Sequence, residues 1–153
     1  MGFKNNQPKI IEGGIFTDER GTIRFANEFI LNHVRRFYVI EHNDASTIRA
    51  WQGHRLETKY FFPIKGSFVL AWVKVDDFEN PDKNLQAEFT ILNADKNLRV
   101  LYLPSGYANG FRALDNNSIL GIFSNLDVEE SARDIIRFPA DWWFNWNKHF
   151  SES

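Results

Sequence analysis

Short apolar bursts, separated by turn formers, run through most of the chain, and most are about as long as a single strand. Residues 9–29 carry Ile10-Ile11, Gly13-Gly14 and Ile23-Arg24-Phe25, which predicts two or three short strands with a turn at Asp18-Glu19-Arg20-Gly21. Val34–Glu41, a β-branched and aromatic run, predicts the next strand. Thr47–Gln52, Thr58–Ile64 and Ser67–Asp76 follow, with Lys65-Gly66 as a tight turn. Asp77–Leu85, containing Asn80-Pro81-Asp82, is the longest polar interruption and predicts a surface loop. Glu88–Leu92, Arg99–Leu103, Gly110–Leu114 and Ile119–Phe123 keep the spacing expected of a sandwich or barrel. Only Val128–Ala132 reads as helix. About a dozen short strands with almost no helix predict an all-β jelly roll. The end of the chain, Phe138-Pro-Ala-Asp-Trp-Trp-Phe-Asn-Trp146, is too aromatic for a free tail. Residues 138–150 are expected to pack on the body or on a second subunit.

Composition narrows this picture. The 153 residues suit one domain with a proper core, and 15 Phe and 5 Trp against 1 Met favour a β-rich interior. A formal net charge of -2 provides no field that would gather nucleic acid or an anionic membrane. The chain has no cysteine, so disulfides and thiol chemistry are excluded, with a lean toward the cytoplasm. Met1–Pro8 contains no apolar core of a signal peptide, and no apolar run approaches a bilayer span.

The chemistry concentrates between Arg49 and Gly66, where Arg49, Gln52, His54, Arg55, Glu57 and Lys59 precede an aromatic run. In an extended segment Gln52 and His54 share one face. The spacing resembles the first cupin motif, with Gln52 and His54 at its two His positions, Lys59 at its Glu position and Gly66 closing it. Pro104-Ser-Gly106-Tyr-Ala-Asn109 resembles the second motif, with Asn109 at its His position. The resemblance implies one cupin domain over residues 1–153, a double-stranded β-helix. Three of the four usual ligand positions hold no ligand residue, and the cation of Lys59 would repel a divalent metal. No metal and no other cofactor is expected.

Beyond these motifs, residues 15–137 resemble the dTDP-4-dehydrorhamnose 3,5-epimerases and the dTDP-4-oxo-6-deoxyglucose 3,4-ketoisomerases. Phe16-Thr-Asp18-Glu-Arg20-Gly21 is similar to the epimerases' F-x-D-x-R-G, whose Arg contacts the nucleotide diphosphate. Arg49-Ala-Trp-Gln52 is similar to their R-G-L-H, and Lys59 falls on their active-site Lys. Leu101-Tyr102-Leu-Pro104-Ser-Gly106-Tyr107-Ala-Asn109-Gly-Phe111 is similar to L-Y-I-P-x-G-F-A-H-G-F. The ketoisomerase run R-G-x-H-A-H-K matches at Arg49, Gln52, His54 and Arg55. Two departures stand out: Gln52 replaces the epimerase base, and Ile119–Leu126 lacks the epimerases' Tyr acid.

The resemblance implies proton abstraction beside the ketone of a dTDP-4-keto-6-deoxyhexose. On this reading His54 is the base, titrating near neutrality, and Lys59 steadies the enolate. Tyr107 or Tyr102 returns a proton or stacks on the ligand. Arg20 and Arg49 clamp the diphosphate, and Gln52 and Asn109 bind substrate. The rival is a non-catalytic cupin that binds a nucleotide sugar as an accessory or regulatory subunit, which the Gln52 and Asn109 replacements favour. Each residue also has a plainer reading: a structural strand His54, a Lys59 paired with Glu57, and Arg20 as a solvated turn charge. Arg35-Arg36 reads as a surface pair. A homodimer is expected, with a nucleotide sugar as ligand and neither nucleic acid nor membrane as partner.

Overall fold

The computed structural model describes residues 6–150, so the leader reading of Met1–Asn5 lies outside the described residues. Three short strands open the chain: β1 (Lys9–Glu12), β2 (Gly14–Asp18) and β3 (Gly21–Phe25). They are followed by β4 (Arg36–His42), β5 (Ile48–His54), β6 (Lys59–Lys65), β7 (Ser67–Lys74) and β8 (Glu88–Asn93). The remainder is β9 (Arg99–Leu103), β10 (Tyr107–Ala113), β11 (Ser118–Ser124), α1 (Val128–Ala132) and β12 (Ile135–Arg137). β12 had no clear signal in the sequence, because three residues leave no room for a period to show. β10 starts three residues before Gly110, the predicted start.

Ten of the strands form two five-stranded antiparallel sheets, ordered β1-β9-β6-β11-β4 and β12-β5-β10-β7-β8, which is the all-β jelly roll, and β2 and β3 pair with each other. Phe61, Phe68, Leu70, Leu92, Leu101, Phe111, Leu120 and Ile122 fill the space between the sheets. The chain reverses from β6 into β7 at Gly66, whose φ of 72° is a backbone state that L side chains rarely adopt.

Both outer sheet faces are covered in part. Phe29 and Val34 pack over Ile11, Tyr60, Val100 and Tyr102 on one side. On the other, the aromatic end of the chain folds back onto β5, β7 and β10, burying Trp143 and Trp146 against Trp51, Val69 and Val73. Trp51 Nε1 donates to the carbonyl of Trp142, and Trp143 Nε1 donates to that of Asp82. Gly110 permits this closeness: a Cβ there would sit 2.7 Å from the ring of Trp146 and 2.6 Å from Cβ of Ala50. Trp143→Phe, which removes the N–H donor and leaves a small void, is expected to cost about 1–2 kcal/mol in urea denaturation. An unchanged midpoint would mean that the tail contributes nothing to the body. The α1 cap follows the usual logic, with Asp127 accepting from the Glu130 amide while the Glu130 side chain accepts from the Asp127 amide.

Candidate functional site

Strand geometry decides which side chains enter the space between the sheets. On β4 the alternation turns Arg36, Tyr38, Ile40 and His42 inward and leaves Phe37 and Val39 exposed. On β6 it turns Lys59 and Phe61 inward and Tyr60 outward. β5 breaks its alternation. Gln52 pairs with Asn109, but Arg49 pairs with Phe111, so three steps on β5 match two on β10. This bulge brings Arg49 and Gln52 to the same face.

The result is a cavity of about 210 Å³ lined by Arg36, Tyr38, Arg49, Gln52, Lys59 and Asn109, with apolar walls from Ile40, Phe111, Ile122 and Ile135. Its ionisable lining is three cations and one phenol. Lys59 is 5% exposed, and its amine donates to Gln52 Oε1 at 3.5 Å. Burial lowers its pKa to about 8, because the charged form loses water that the cavity replaces only in part. Burial, and then the charge of Glu57, push the Tyr38 hydroxyl up to about 12, so it stays a proton donor. The Arg36 guanidinium lies 4.6 Å over the Tyr38 ring.

Beneath the cavity lies a buried carboxylate. Glu57, on the β5–β6 loop, has a side chain with no exposed surface. It accepts from Ser124 Oγ at 2.6 Å, Ser131 Oγ at 3.0 Å and Arg36 at 3.1 Å, and stands 3.9 Å from the Lys59 amine. Asp134 accepts the backbone N–H groups of Arg55, Leu56 and Glu57, which fixes that loop. His54 packs into this layer, 2% exposed, with Nδ1 3.3 Å from Glu57 and 3.8 Å from Asp134. Burial and the neighbouring Lys59 depress its pKa to about 3.

Four of the residues singled out from sequence therefore meet in one cavity: Arg49, Gln52, Lys59 and Asn109. Four do not. His54 lies below the lining, and an imidazole titrating near 3 rather than near neutrality is too weak a base to take a carbon-bound proton. Tyr107 faces inward but packs on the core beside the cavity, outside its lining. Tyr102 is on the wrong face of its strand: paired with Tyr60, it points out of the sandwich into a separate groove of about 720 Å³. Arg20 caps the β2–β3 turn, its side chain 79% exposed and bound to Asp18. Arg55 lies over the Phe78 ring. Arg36, read as half of a surface pair, lines the cavity, while Arg35 is at the surface with Glu130 and Asp127. The larger groove brings together Lys9, Glu12, Glu28 and His33 with no comparable set of cations, so the smaller cavity is where the chemistry converges.

The donor set does not fit the transition metal of ordinary cupins. Two amides and an amine stand at the ligand positions, and the oxygens of Glu57 and Asp134 are taken by hydroxyl, guanidinium and amide donors. Among the described residues no group of three His, Asp or Glu side chains is arranged to hold a metal. Among them, too, no helix is long and apolar enough to cross a membrane.

These features define a cupin-type jelly roll with a cationic cavity in place of a metal centre. No protein-family model matches the sequence, and no curated protein sequence does. Solved structures do match. A dTDP sugar isomerase from Desulfovibrio desulfuricans superposes with a TM-score of 0.73 at 18% identity, over 94% of this chain and 92% of that one. A 3,4-ketoisomerase from Helicobacter canadensis gives 0.65 at 17% identity, over 86% and 90%. A dTDP-4-dehydrorhamnose 3,5-epimerase from Bacillus anthracis, solved with TDP and PPi bound, gives 0.65 at 21%, over 84% and 79%. The chain is thus similar to dTDP-sugar epimerases and ketoisomerases, and it shares their fold.

Proposed function

We propose that the cavity takes the sugar of a dTDP-4-keto-6-deoxyhexose and moves a proton at the carbon beside the ketone, as an epimerase or ketoisomerase. The observation that carries this is Lys59, a buried amine facing the cavity with a pKa of about 8. Near neutral pH roughly a tenth of such a group is free amine, enough for a general base. The C–H proton passes to Lys59 Nζ, and the electron pair moves onto the ketone oxygen as an enolate. The Tyr38 hydroxyl and the Arg36 guanidinium stabilise that oxygen. Reprotonation completes the reaction in one of two ways. For epimerisation, the same carbon takes a proton from solvent on the face opposite Lys59, and Lys59 releases its own to solvent. For ketone transfer, Lys59 gives its proton to the former carbonyl carbon while the hydroxyl proton on the neighbouring carbon passes to the enolate oxygen. Gln52 and Asn109 orient the sugar hydroxyls. The cavity suits one sugar ring and not a whole nucleotide sugar, so the diphosphate lies at the mouth against the exposed Arg49.

The test is incubation with dTDP-4-keto-6-deoxyglucose in deuterated buffer, following the C3 and C5 protons by NMR. Exchange at either carbon is the expected result. Binding without exchange would favour the second reading, a nucleotide-sugar binding subunit, which is supported by amides at two imidazole positions and by the sealed His54. Neither binding nor exchange would remove both.

The reading extends to a homodimer. In its support, the β2–β3 hairpin forms a sheet of its own and exposes Ile15, Phe16 and Ile23, and β4 exposes Phe37 and Val39. In the tail Trp143 and Trp146 are buried against the body, and Trp142, Phe144 and Phe150 only partly so. Light scattering is expected to return twice the chain mass, and a stable monomer at micromolar concentration would refute it.

A further inference from the structure

We propose that His42 is the positioning residue for Arg49, holding its guanidinium by Nε so that both terminal nitrogens face an anionic ligand. The proposal rests on the reading of Arg49 as a diphosphate contact and goes beyond it, since no motif marked His42.

His42 ends β4 and is buried, its ring centroid 5.7 Å from that of Phe111 in a stacked arrangement and 5.7 Å from that of Phe68 in an edge-on one. Packing on two sides fixes the ring plane. Arg49 Nε donates to His42 Nε2 at 3.0 Å. To accept, Nε2 must carry no proton, so the imidazole is neutral and its proton sits on Nδ1. Nδ1 is buried without a partner, a cost the fold bears for keeping this ring as an acceptor. Lining the cavity at its exposed end, Arg49 would otherwise lose much of its rotamer freedom only on binding a ligand. Tying Nε to a fixed ring takes that loss in advance. The terminal nitrogens have no protein partner among the described residues, which leaves the fork open for two phosphate oxygens.

The surroundings of His42 also make the contact depend on charge. Arg49 is the charged group that acts on it; β7, β10 and β11 present Phe68, Phe111 and Ser118. Burial and then Arg49 both lower the pKa of the imidazole, which favours the neutral, accepting form that the geometry requires. Acidification through that lowered pKa would place two cations in contact and release the arm.

Two measurements decide the role. In the free protein, the Arg49 Nε–H correlation in NMR should be resolved and slow to exchange. It should survive in His42→Gln, whose amide oxygen can take the place of Nε2, and vanish in His42→Phe, which keeps the stack on Phe111. His42→Leu serves if Phe is not tolerated. Calorimetry with dTDP should then show affinity about tenfold weaker in His42→Phe and near wild type in His42→Gln. In an Arg49→Ala background, His42→Phe should add nothing, because the residue acts through Arg49. A protected Nε–H in His42→Phe, no rescue by Gln, or a further loss of affinity in the Arg49→Ala background would overturn the proposal. If the wild-type protein fails to bind dTDP, the diphosphate reading falls, and the NMR result alone then decides whether His42 positions Arg49.

Discussion

Lys59→Met is expected to slow carbon–hydrogen exchange by roughly 10²–10⁴, the range for loss of a general base, while dTDP affinity stays close to wild type. The reasoning starts from burial. An amine held at a pKa of about 8 carries its charge in the folded protein at a cost, since the same group in the unfolded chain titrates near 10.5. Below pH 8 both states are protonated and the full cost applies, on the order of 3 kcal/mol. Between about 8 and 10.5 the unfolded chain binds more protons, so stability contributed by this site rises with pH across that window. Methionine fills the same space without charge. The variant is therefore expected to melt at or above the wild-type temperature even as activity collapses, as when a strained functional group is removed. The pH profile of exchange by the wild-type protein checks the same assignment from another side. A neutral-amine base gives a kcat that climbs through pH 8 and levels above it. A rate that falls through pH 8, or a Lys59→Met variant with full exchange, would show that the amine is not the base.

Glu57→Gln should produce the largest loss of stability of any single change in the site, about 3–5 kcal/mol. The substitution keeps the shape of the side chain and removes its charge. Arg36 and Lys59 then lose the carboxylate nearest them, with Asp134 left to act on Lys59 from farther away, and Ser124 and Ser131 lose a charged acceptor. For a chain of this size the melting temperature should fall by roughly 10 °C or more. Glu57→Gln combined with Lys59→Met should recover part of that loss, because one of the two stranded cations is gone. A shift of only a degree or two in the single variant, or no recovery in the pair, would show that Glu57 does not balance these charges.

The difference between β4 and β6 explains which parts of the site could be read in advance. On β6 the residue that matters, Lys59, sits before an aromatic run and on a motif position, so it was legible. On β4 the sequence Arg36-Phe-Tyr-Val-Ile-Glu-His42 turns Arg36, Tyr38 and His42 in beside Ile40, and Phe37 and Val39 out beside Glu41. A hydrophobicity pattern assigns such a strand the opposite way, which is why Arg36, Tyr38 and His42 were missed. Strand alternation alone would have grouped them, had the inward face been known. Asp134 had no signal at all: it acts through three backbone amides some eighty positions earlier in the chain.

The sequence by itself determined the all-β class, most of the strand positions, the helical turn and the family of folds. These follow from local causes: alternation, turn residues, aromatic content and two short motifs, each complete within a few residues. It also placed Arg49, Gln52, Lys59 and Asn109 as candidates. Only the tertiary structure decided which candidates share a cavity. The β5 bulge brought Arg49 round to the face of Gln52. The face of β9 sent Tyr102 outward. Packing beside Glu57 and Asp134 buried His54 outside the cavity lining. Each of these depends on what packs against a strand from a distant part of the chain. Burial and charge environment, which set whether an imidazole or an amine can act as a base, are properties of that packing and are not written in the residue type.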